Sequence, residues 1–414
     1  MQDRRLIPTS IHSTQANGSL VLQHEKIPFP SYPWEWSPRQ WISAATLTLD
    51  LCEAAIHSDF ILKDATPLNI LFSGPDPVFV DVLSFERRDQ NRPLWNAYAQ
   101  FARTFLLPLA AYVYLGWPLS SSISRRDGYD PADLAQWLPL TRRLLNPLRS
   151  LVTAPLLFES AVFQKNASRI ASLNHVDGEL ARGLLLRTLR RTRRLLGELS
   201  LPATRSRWSR YPETSTHYSA GDHLAKQDFV RAALERVRAV RVLDVGANVG
   251  VYSRIASEAG AQVVAWDTDP LATGLNWSNA QRDNKSILPI VADFARPTPA
   301  VGWQNKECAS LLSRSNGAFD CALMLGIIHH IAVADQIPLP AILSQLADIT
   351  THWAILEWIP NQDEQFRGLA RGRDSLYAHL TEPYFSHCLE THFYVRERLL
   401  LSNGRSLWLV EKRA

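Results

Sequence analysis

The chain has 414 residues, which is too many for one ordinary domain, so two domains are expected. Its 46% hydrophobic and 20% charged residues exclude a disordered protein, and a net charge of +4 gives no general case for nucleic-acid binding. The four cysteines are scattered without metal-ligand spacing, so no metal site is predicted. No signal stretch opens the chain and no apolar run reaches the length of a membrane span, so we expect a cytoplasmic protein without membrane contact.

Residues 1–204 are predicted to form an N-terminal α+β domain that is mostly helical. One helix is expected over about residues 38–58, between strands and loops that extend to residue 90. Helical periodicity dominates residues 95–200, with interruptions at proline and at Gly116-Trp-Pro118. Leu201-Pro202-Ala203 is the expected linker to a second domain.

An acidic loop follows the first predicted helix. It contains Asp64 and Asn69, five residues apart, and Asp81 follows twelve residues later at the end of an apolar run. The spacing resembles the catalytic loop and metal-binding Asp of kinases and aminoglycoside phosphotransferases. Only 63 residues precede Asp64, none of them in a glycine-rich phosphate loop, and Lys63 replaces the usual neighbour. We therefore interpret the segment as a shortened remnant that contacts substrate or covers the site; the alternative is that these residues cap turns.

An arginine-rich helix is predicted from Leu184 to Leu199. Between Arg187 and Arg210 there are eight arginines and one acid, Glu198. One interpretation is a contact surface for an anionic partner, such as nucleic acid or an acidic carrier. The other is a solvated face whose arginines pair with acids elsewhere. We expect the second, because the charge is local and no aromatic residues are interleaved with it.

The C-terminal half opens with a glycine-rich turn after an apolar run. Residues 242–253 place Asp244 at the end of a strand, then Gly246 and Gly250, then the start of a helix. The glycines permit a tight turn and the close approach of a ligand. A second strand ends at Asp267, 23 residues after Asp244, where a carboxylate can bind both ribose hydroxyls. This arrangement predicts a nucleoside site.

Five more strands are predicted after this unit. They cover residues 287–292, 319–325, 353–357, 393–401 and 406–410. Asn403-Gly404 between the last two is a strong hairpin signal. In doubly wound sheets the ligand lies at the carboxyl ends of the strands, so polar residues at those ends are the candidates for the site.

Asn248 and Asp244 decide between two kinds of nucleoside ligand. A pyrophosphate-binding turn needs a small residue where Asn248 stands, and Asp244 would repel pyrophosphate but suits a cationic sulfonium. The turn resembles the acidic glycine loop of class I methyltransferases, which bind S-adenosylmethionine (SAM). Later strands and the terminal hairpin keep that family's order over about residues 205–414. The resemblance implies an α/β domain with a doubly wound Rossmann-like sheet closed by an antiparallel hairpin.

The resemblance also implies which residues contact SAM. In the family an acid after the third strand approaches the adenine amino group, and an apolar neighbour packs on the ring, which are the places of Asp293 and Phe294. The expected cofactor residues are Asp244, Gly246, Asn248, Gly250, Asp267, Thr268, Asp293, Phe294 and Gly326. A loop-capping role is the alternative for Asp293.

Three residues are candidates for chemistry. His329 and His330 follow the fourth strand and offer a base near neutral pH, although paired histidines there also mark a loop-to-helix boundary. Glu357 ends the fifth strand and is either a base or amine ligand, or half of a salt bridge at the pocket rim. Candidate substrate contacts are Tyr211, Tyr218 and Lys226, where the family often places a lid helix, and Asp64, Asn69 and Asp81.

Taken whole, the chain resembles a group of two-domain bacterial methyltransferase-like proteins that includes nodulation proteins. The matching pieces include residues 31–36, 62–69, 328–330 and 357–363. The resemblance implies a SAM-dependent methyltransferase of specialised metabolism that acts on a small molecule, with no nucleic-acid partner. One alternative is an enzyme of the same fold that cyclises SAM and releases methylthioadenosine. Another is a SAM-binding pseudoenzyme that recruits a partner. The oligomeric state is left open.

Overall fold

The structure is a computed structural model that describes residues 5–157, 176–199, 201 and 219–413. The chain divides into two compact units, Met1–Thr204 and Arg205–Ala414. Each unit has its own core and is described by itself. Within the described residues, no helix is both long and apolar enough to cross a membrane.

The first unit contains three small antiparallel sheets and a set of helices. Its strands are β1 (Thr9–Thr14), β2 (Leu20–His24), β3 (Phe60–Leu62), β4 (Ile70–Ser73), β5 (Asp76–Phe79) and β6 (Phe85–Arg87), paired as β1–β2, β3–β6 and β4–β5. Its helices are α1 (Pro38–His57), α2 (Tyr98–Phe101), α3 (Leu107–Leu115), α4 (Pro131–Ala135), α5 (Leu140–Arg143) and α6 (Gly178–Glu198), with π-helical turns over Ala102–Leu106 and Arg149–Thr153.

Aromatic residues form the centre of this unit. Trp36 and Trp41 are almost fully buried, and their ring centroids lie 6.1 Å apart. Trp36 also meets Phe72 at 5.1 Å, and the indole N–H of Trp41 donates to the carbonyl of Phe105 at 3.1 Å. Because buried indoles need a hydrogen-bond partner, this bond fixes α1 against the π-helical turn that contains Phe105.

Helix α6 begins earlier than the sequence pattern predicted. The pattern placed its start at Leu184, whereas the helix begins at Gly178. Asp177 explains the difference, since its carboxylate accepts from the backbone N–H groups of Glu179 and Leu180 and caps the first turn. The buried side of the helix is apolar at helical spacing and includes Ala181, Leu185, Leu189 and Leu196.

The second unit is built on one seven-stranded sheet. Its strands are β7 (Arg241–Val245), β8 (Gln262–Asp267), β9 (Ile287–Val291), β10 (Phe319–Met324), β11 (Thr350–Trp358), β12 (Phe393–Leu400) and β13 (Ser406–Lys412). They lie in the order β12-β13-β11-β10-β7-β8-β9. The five strands from β11 to β9 are parallel, and β13 runs antiparallel to both β11 and β12. The predicted fold class is confirmed, including the terminal hairpin.

The helices of this unit are α7 (Ala220–Val237), α8 (Val251–Glu258), α9 (Pro270–Arg282), α10 (Leu311–Ser315), α11 (Ile328–Val333), α12 (Leu339–Ile349), α13 (Glu364–Ala370) and α14 (Glu382–Glu390). A continuous apolar cluster joins α7 and α8 to the sheet and includes Val230, Val242, Ile255, Leu323 and Leu409. This packing fixes the carboxyl ends of the parallel strands at one edge, where the loops that follow them carry polar side chains.

Candidate active site

The first polar group at this edge is the carboxylate of Asp244, near the end of β7. Asp244 is 2% exposed, and the hydroxyl of Ser253 donates to it at 2.6 Å. Burial raises the pKa of Asp244 to about 6, and the negative charge of Asp267 adds to that rise. The carboxyl is therefore held by neutral donors of Ser253 and favours a cationic partner.

Asp267 ends the neighbouring strand β8 and holds the glycine turn. The backbone N–H of Asn248 donates to its Oδ2, and the N–H of Asp269 donates to its Oδ1, both at 2.8 Å. Burial raises the pKa of Asp267 as well. These two bonds fix the plane of the carboxylate, which leaves the remaining lone pairs of its oxygens in a defined orientation.

The glycine turn requires its residue types. Gly250 has φ +87°, and a Cβ there would lie 2.1 Å from Oδ1 of Asn276. Gly246 has φ +75°, and a Cβ there would lie 3.2 Å from the side chain of Ile327. Asn248 also has positive φ, at 52°, which Asn tolerates better than most residues. A side chain at Gly246 or Gly250 would therefore meet a packed neighbour in a backbone conformation that favours glycine.

A buried ion pair joins helix α7 to the end of β11. The ammonium of Lys226 lies 2.7 Å from Oε2 of Glu357, and the two side chains are 6% and 0% exposed. Burial alone lowers the pKa of Lys226, but the Glu357 carboxylate outweighs it and raises that pKa. The ammonium also lies 4.9 Å from the ring centroid of Tyr252. Glu357 is therefore in a salt bridge, as one interpretation expected, although the bridge is buried instead of lying at a rim.

Gly326 follows β10 and faces this pair. It has φ +72°, and a Cβ on it would lie 3.4 Å from Oε2 of Glu357. The structure therefore brings together three predicted site residues from three different elements, namely Lys226, Gly326 and Glu357.

The two histidines lie in the helix that follows β10. His329 is 6% exposed, and within the described part of the chain its Nδ1 has no hydrogen-bond partner. Burial lowers the pKa of His329 well below its usual value, and the charges of His330, Arg405 and Lys226 lower it further. The imidazole is neutral at physiological pH. The ring of His330 is partly exposed and lies 4.3 Å from that of His329, centroid to centroid.

The hairpin turn between β12 and β13 is tied to the same edge by two sets of contacts. Arg405 is 2% exposed and binds Asp363 through Nε at 2.9 Å and Nη2 at 3.2 Å. The N–H and hydroxyl of Ser402 donate to Asp222 in the first turn of α7, each at 2.9 Å to Oδ1. The hydroxyl of Ser219 donates to the same carboxylate at 2.8 Å. These contacts hold the start of α7 in place, and that helix carries Lys226.

Asp293 and Phe294 follow β9, as predicted. Asp293 accepts from the N–H of Ala295 at 2.8 Å and from Arg296 at 3.0 Å, so it does cap its loop. Phe294 is 5% exposed. Thr268 is exposed and follows β8. Tyr211 and Tyr218 lie outside the described residues.

In the first unit, Asn69 and Asp81 are joined by a serine that the sequence reasoning did not single out. Asn69 Nδ2 donates to the hydroxyl of Ser84 at 3.0 Å, and that hydroxyl donates to Asp81 at 2.6 Å. Asp81 also accepts from the N–H of Leu83 and caps a short 3-10 turn. Asp64 is partly buried nearby in the chain. The polar groups that would hold magnesium in a kinase are here bridged by the hydroxyl of Ser84.

Several residues of the site were missed at the sequence level. Ser253 stood in the glycine-loop motif without a role, and Asp222, Asp363, Ser402 and Arg405 were not singled out. The only local signal for these residues was a charged or hydroxyl side chain close to a strand end or a hairpin turn. Among the described residues, no group of three or more His, Cys, Asp or Glu side chains is arranged to hold a metal.

Comparison with known proteins gives one match over nearly the full length. The chain is 26% identical over 412 residues to nodulation protein NoeA of Rhizobium meliloti (strain 1021), which covers 97% of this chain and 84% of NoeA. The chain is a homologue of NoeA. No protein-family model matches it.

Among the solved structures that are similar to part of the chain are two methyltransferases. Magnesium protoporphyrin IX methyltransferase (ChlM) from Synechocystis PCC 6803 shares 19% identity over 46% of this chain and 84% of that chain, with a TM-score of 0.35. The N-methyltransferase NodS from Bradyrhizobium japonicum WM9 shares 11% identity over 47% of this chain and 99% of that chain, with a TM-score of 0.34.

Proposed function

We propose that the chain is a SAM-dependent methyltransferase that acts on a small molecule of bacterial specialised metabolism. The observation that carries the proposal is the pair of carboxylates at adjacent parallel strand ends, Asp244 on β7 and Asp267 on β8, bracketing the glycine turn. A sheet with a terminal antiparallel hairpin supports a methyltransferase over a dehydrogenase. The homology to a nodulation protein supports a role in specialised metabolism.

The donor set suits SAM better than a dinucleotide. Asp244 is a buried acid that gains from a neighbouring cation, and it would bind the ammonium of the amino-acid part. Asp267 would accept from the ribose hydroxyls, while Asp293 and Phe294 would hold adenine. A pyrophosphate would meet two buried carboxylates here, which is unfavourable. When bound, SAM supplies a methyl group on a sulfonium sulfur, and the neutral thioether that departs is a good leaving group.

The protein must align the methyl acceptor with the methyl carbon and sulfur of SAM and exclude water from the site. Where the acceptor carries a proton, the protein must also remove that proton. His329 is neutral and buried, so its free ring nitrogen can accept that proton without first losing one. The Lys226–Glu357 pair holds two opposite charges near the carboxyl end of β11 and fixes the orientation of the Glu357 carboxylate. We further propose that residues 1–204, with Asp64, Asn69 and Asp81, help to select the substrate.

Calorimetry with SAM tests the proposal directly. Asp267→Ala should weaken SAM binding by about 1.5–3 kcal/mol, the usual scale for hydrogen bonds to a charged group. Asp228→Ala, an exposed acid paired with Arg231 on α7, is the matched control and should leave binding unchanged. Equal affinity in the Asp267 variant and the unmodified protein would remove Asp267 from the cofactor site.

Product analysis then identifies the reaction. Incubation with SAM and bacterial small-molecule extracts should yield S-adenosylhomocysteine. Methylthioadenosine formed from SAM alone would instead indicate intramolecular cyclisation. Failure to bind SAM at all would contradict the enzyme proposal and favour a binding module.

A further inference from the structure

The outer side of helix α6 carries a stripe of arginines. Arg187, Arg190, Arg191 and Arg194 follow the spacing i, i+3, i+4, i+7, so they share one side of the helix, and all four are exposed. We call these four residues the basic face. The opposite side of α6 is buried in the first unit.

Acidic residues neutralise another arginine of this helix but not the basic face. Arg193 binds Asp50 at 2.6 Å and Glu53 at 2.9 Å. In the part of the chain that the structure describes, no carboxylate lies within 4.0 Å of the four guanidinium groups of the basic face. Among the described residues, the basic face is therefore solvated, as expected, but Arg193 is the arginine that pairs with acids and the four residues of the face do not.

Four large apolar side chains are exposed in a nearby stretch of the same unit. Trp137, Leu140, Leu144 and Leu145 are 65%, 60%, 52% and 66% exposed. We call residues 137–145 the apolar segment. Isolated exposed leucines are common, but four large side chains within nine residues mark a contact surface.

The basic face contacts the residues that directly follow the apolar segment. Arg191 Nη2 lies 3.4 Å from the hydroxyl of Ser150, and that hydroxyl donates to Asn146, the residue after the apolar segment, at 3.1 Å. Arg142 and Arg149 are exposed in the same stretch, and the sequence contains no acid between Asp133 and Glu159. The combined surface therefore presents exposed apolar side chains at one end and exposed arginines at both ends.

We propose that this combined surface docks the protein on an anionic lipid membrane. Arginines near a bilayer are attracted by acidic headgroups, and exposed Trp and Leu side chains bury into the headgroup boundary without needing a shaped partner. A second copy presenting the same face would place like charges opposite one another. Nucleic acid would engage the arginines but would leave three leucines without a partner. The docking is peripheral, and it does not depend on the proposed methyl transfer.

The experiment is flotation of the full chain with vesicles of phosphatidylcholine, alone or mixed with phosphatidylglycerol. Binding is expected only with phosphatidylglycerol, and rising sodium chloride should release the protein. Replacing the basic face with four Arg→Gln changes should lower the partition coefficient by about fivefold per arginine, equivalent to ~1 kcal/mol each. The matched control removes four exposed arginines of the second unit and should retain binding; these are Arg236, Arg238, Arg254 and Arg282.

A second variant tests the apolar part. Leu144→Ser with Leu145→Ser should lower vesicle binding by on the order of tenfold. Leu376→Ser with Leu400→Ser is the control, because these leucines are 59% and 61% exposed elsewhere in the chain. The salt titration needs no variant, so it tests the proposal even where a variant folds poorly.

Four results would overturn membrane docking. Equal binding to both kinds of vesicle, or equal binding by the basic-face variant and its control, would exclude an electrostatic contact with lipid. If light scattering shows a dimer for the unmodified protein and a monomer for the Leu144/Leu145 variant, the surface is an interface with a second copy. RNA binding that is tighter than vesicle binding and depends on the basic face would assign it to nucleic acid.

Discussion

Asp244 links the protonation of one buried carboxyl to cofactor binding. Burial raises its pKa to about 6, and a cationic ligand binds the ionised form. SAM affinity should therefore increase roughly tenfold from about pH 5 to about pH 7 and then level off, because the ionised fraction changes by that factor. Calorimetry across this range measures the effect. Asp244→Asn should bind weakly with little dependence on pH, and a rising profile in that variant would assign the titration to another group.

The same residue has the opposite effect on the stability of the ligand-free protein. Its folded pKa lies above the unfolded value, so the folded state holds the proton more tightly. The stabilisation is complete below the unfolded pKa near 4 and is lost as pH rises through about 6. Ionisation of Asp244, which binding of a cationic ligand requires, therefore lowers the free energy of unfolding of the ligand-free protein.

The structure changes the acid–base behaviour that the sequence predicts for His329. From its ordinary pKa one expects a rate that rises near neutral pH, but burial keeps this imidazole neutral. If His329 is the base, turnover should be flat across the neutral range, and His329→Asn should lower it by about 10²–10⁴-fold with SAM affinity nearly unchanged. Steady-state rates across pH check both statements. His330→Asn is the comparison, and loss of turnover there alone would identify His330 as the base.

At the scale of elements, helix α7 depends on the hairpin turn that lies far from it in sequence. Asp222→Ala removes the acceptor for three donor groups of Ser402 and Ser219, so it should lower the free energy of unfolding by about 1.5–3 kcal/mol. Hydrogen exchange should also become faster at the start of α7. Asp228→Ala lies on the same helix with an exposed side chain and should change neither measurement. Unchanged exchange in the Asp222 variant would mean that the turn does not hold the helix.

The strands of the second unit could be predicted from the sequence because their signals are local. Apolar runs ending in Asp244 and Asp267 located two strands to within a residue or two, and Asn403-Gly404 located the hairpin. The start of α6 was missed, since its first turn is polar and only the cap at Asp177 marks it.

The pairing of the site's charges could not be predicted. Lys226 and Glu357 are 131 residues apart, and Asp222 and Ser402 are 180 apart. No local pattern encodes a contact at that separation, because it depends on the packing of α7 against the folded sheet. The sequence therefore predicted Glu357 as a candidate site residue but left open whether it is a free base or a paired one.

At the scale of the whole molecule, the first unit retains a kinase-like spacing without a free metal-binding pair. Because Ser84 bridges Asn69 and Asp81, we expect magnesium-ATP to produce no shift in the melting temperature. A thermal-shift assay on the full chain measures this, with SAM as the ligand that should raise the melting temperature. An ATP-dependent shift that disappears in Asp81→Ala would restore phosphotransfer as a function of this unit.

The order of strands in the second unit also determines how the protein avoids aggregation. The sheet is open, so β9 and β12 are edges that another chain might extend. Pro289 lies within β9 and has no amide hydrogen to offer a new strand. Along β12, Arg396 and Arg398 form ion pairs with Glu411 and Glu382, and a new strand would have to desolvate them. Both edge strands therefore disfavour pairing with a strand of another molecule. The sequence of this sheet thus opposes the growth of fibrils from its edges.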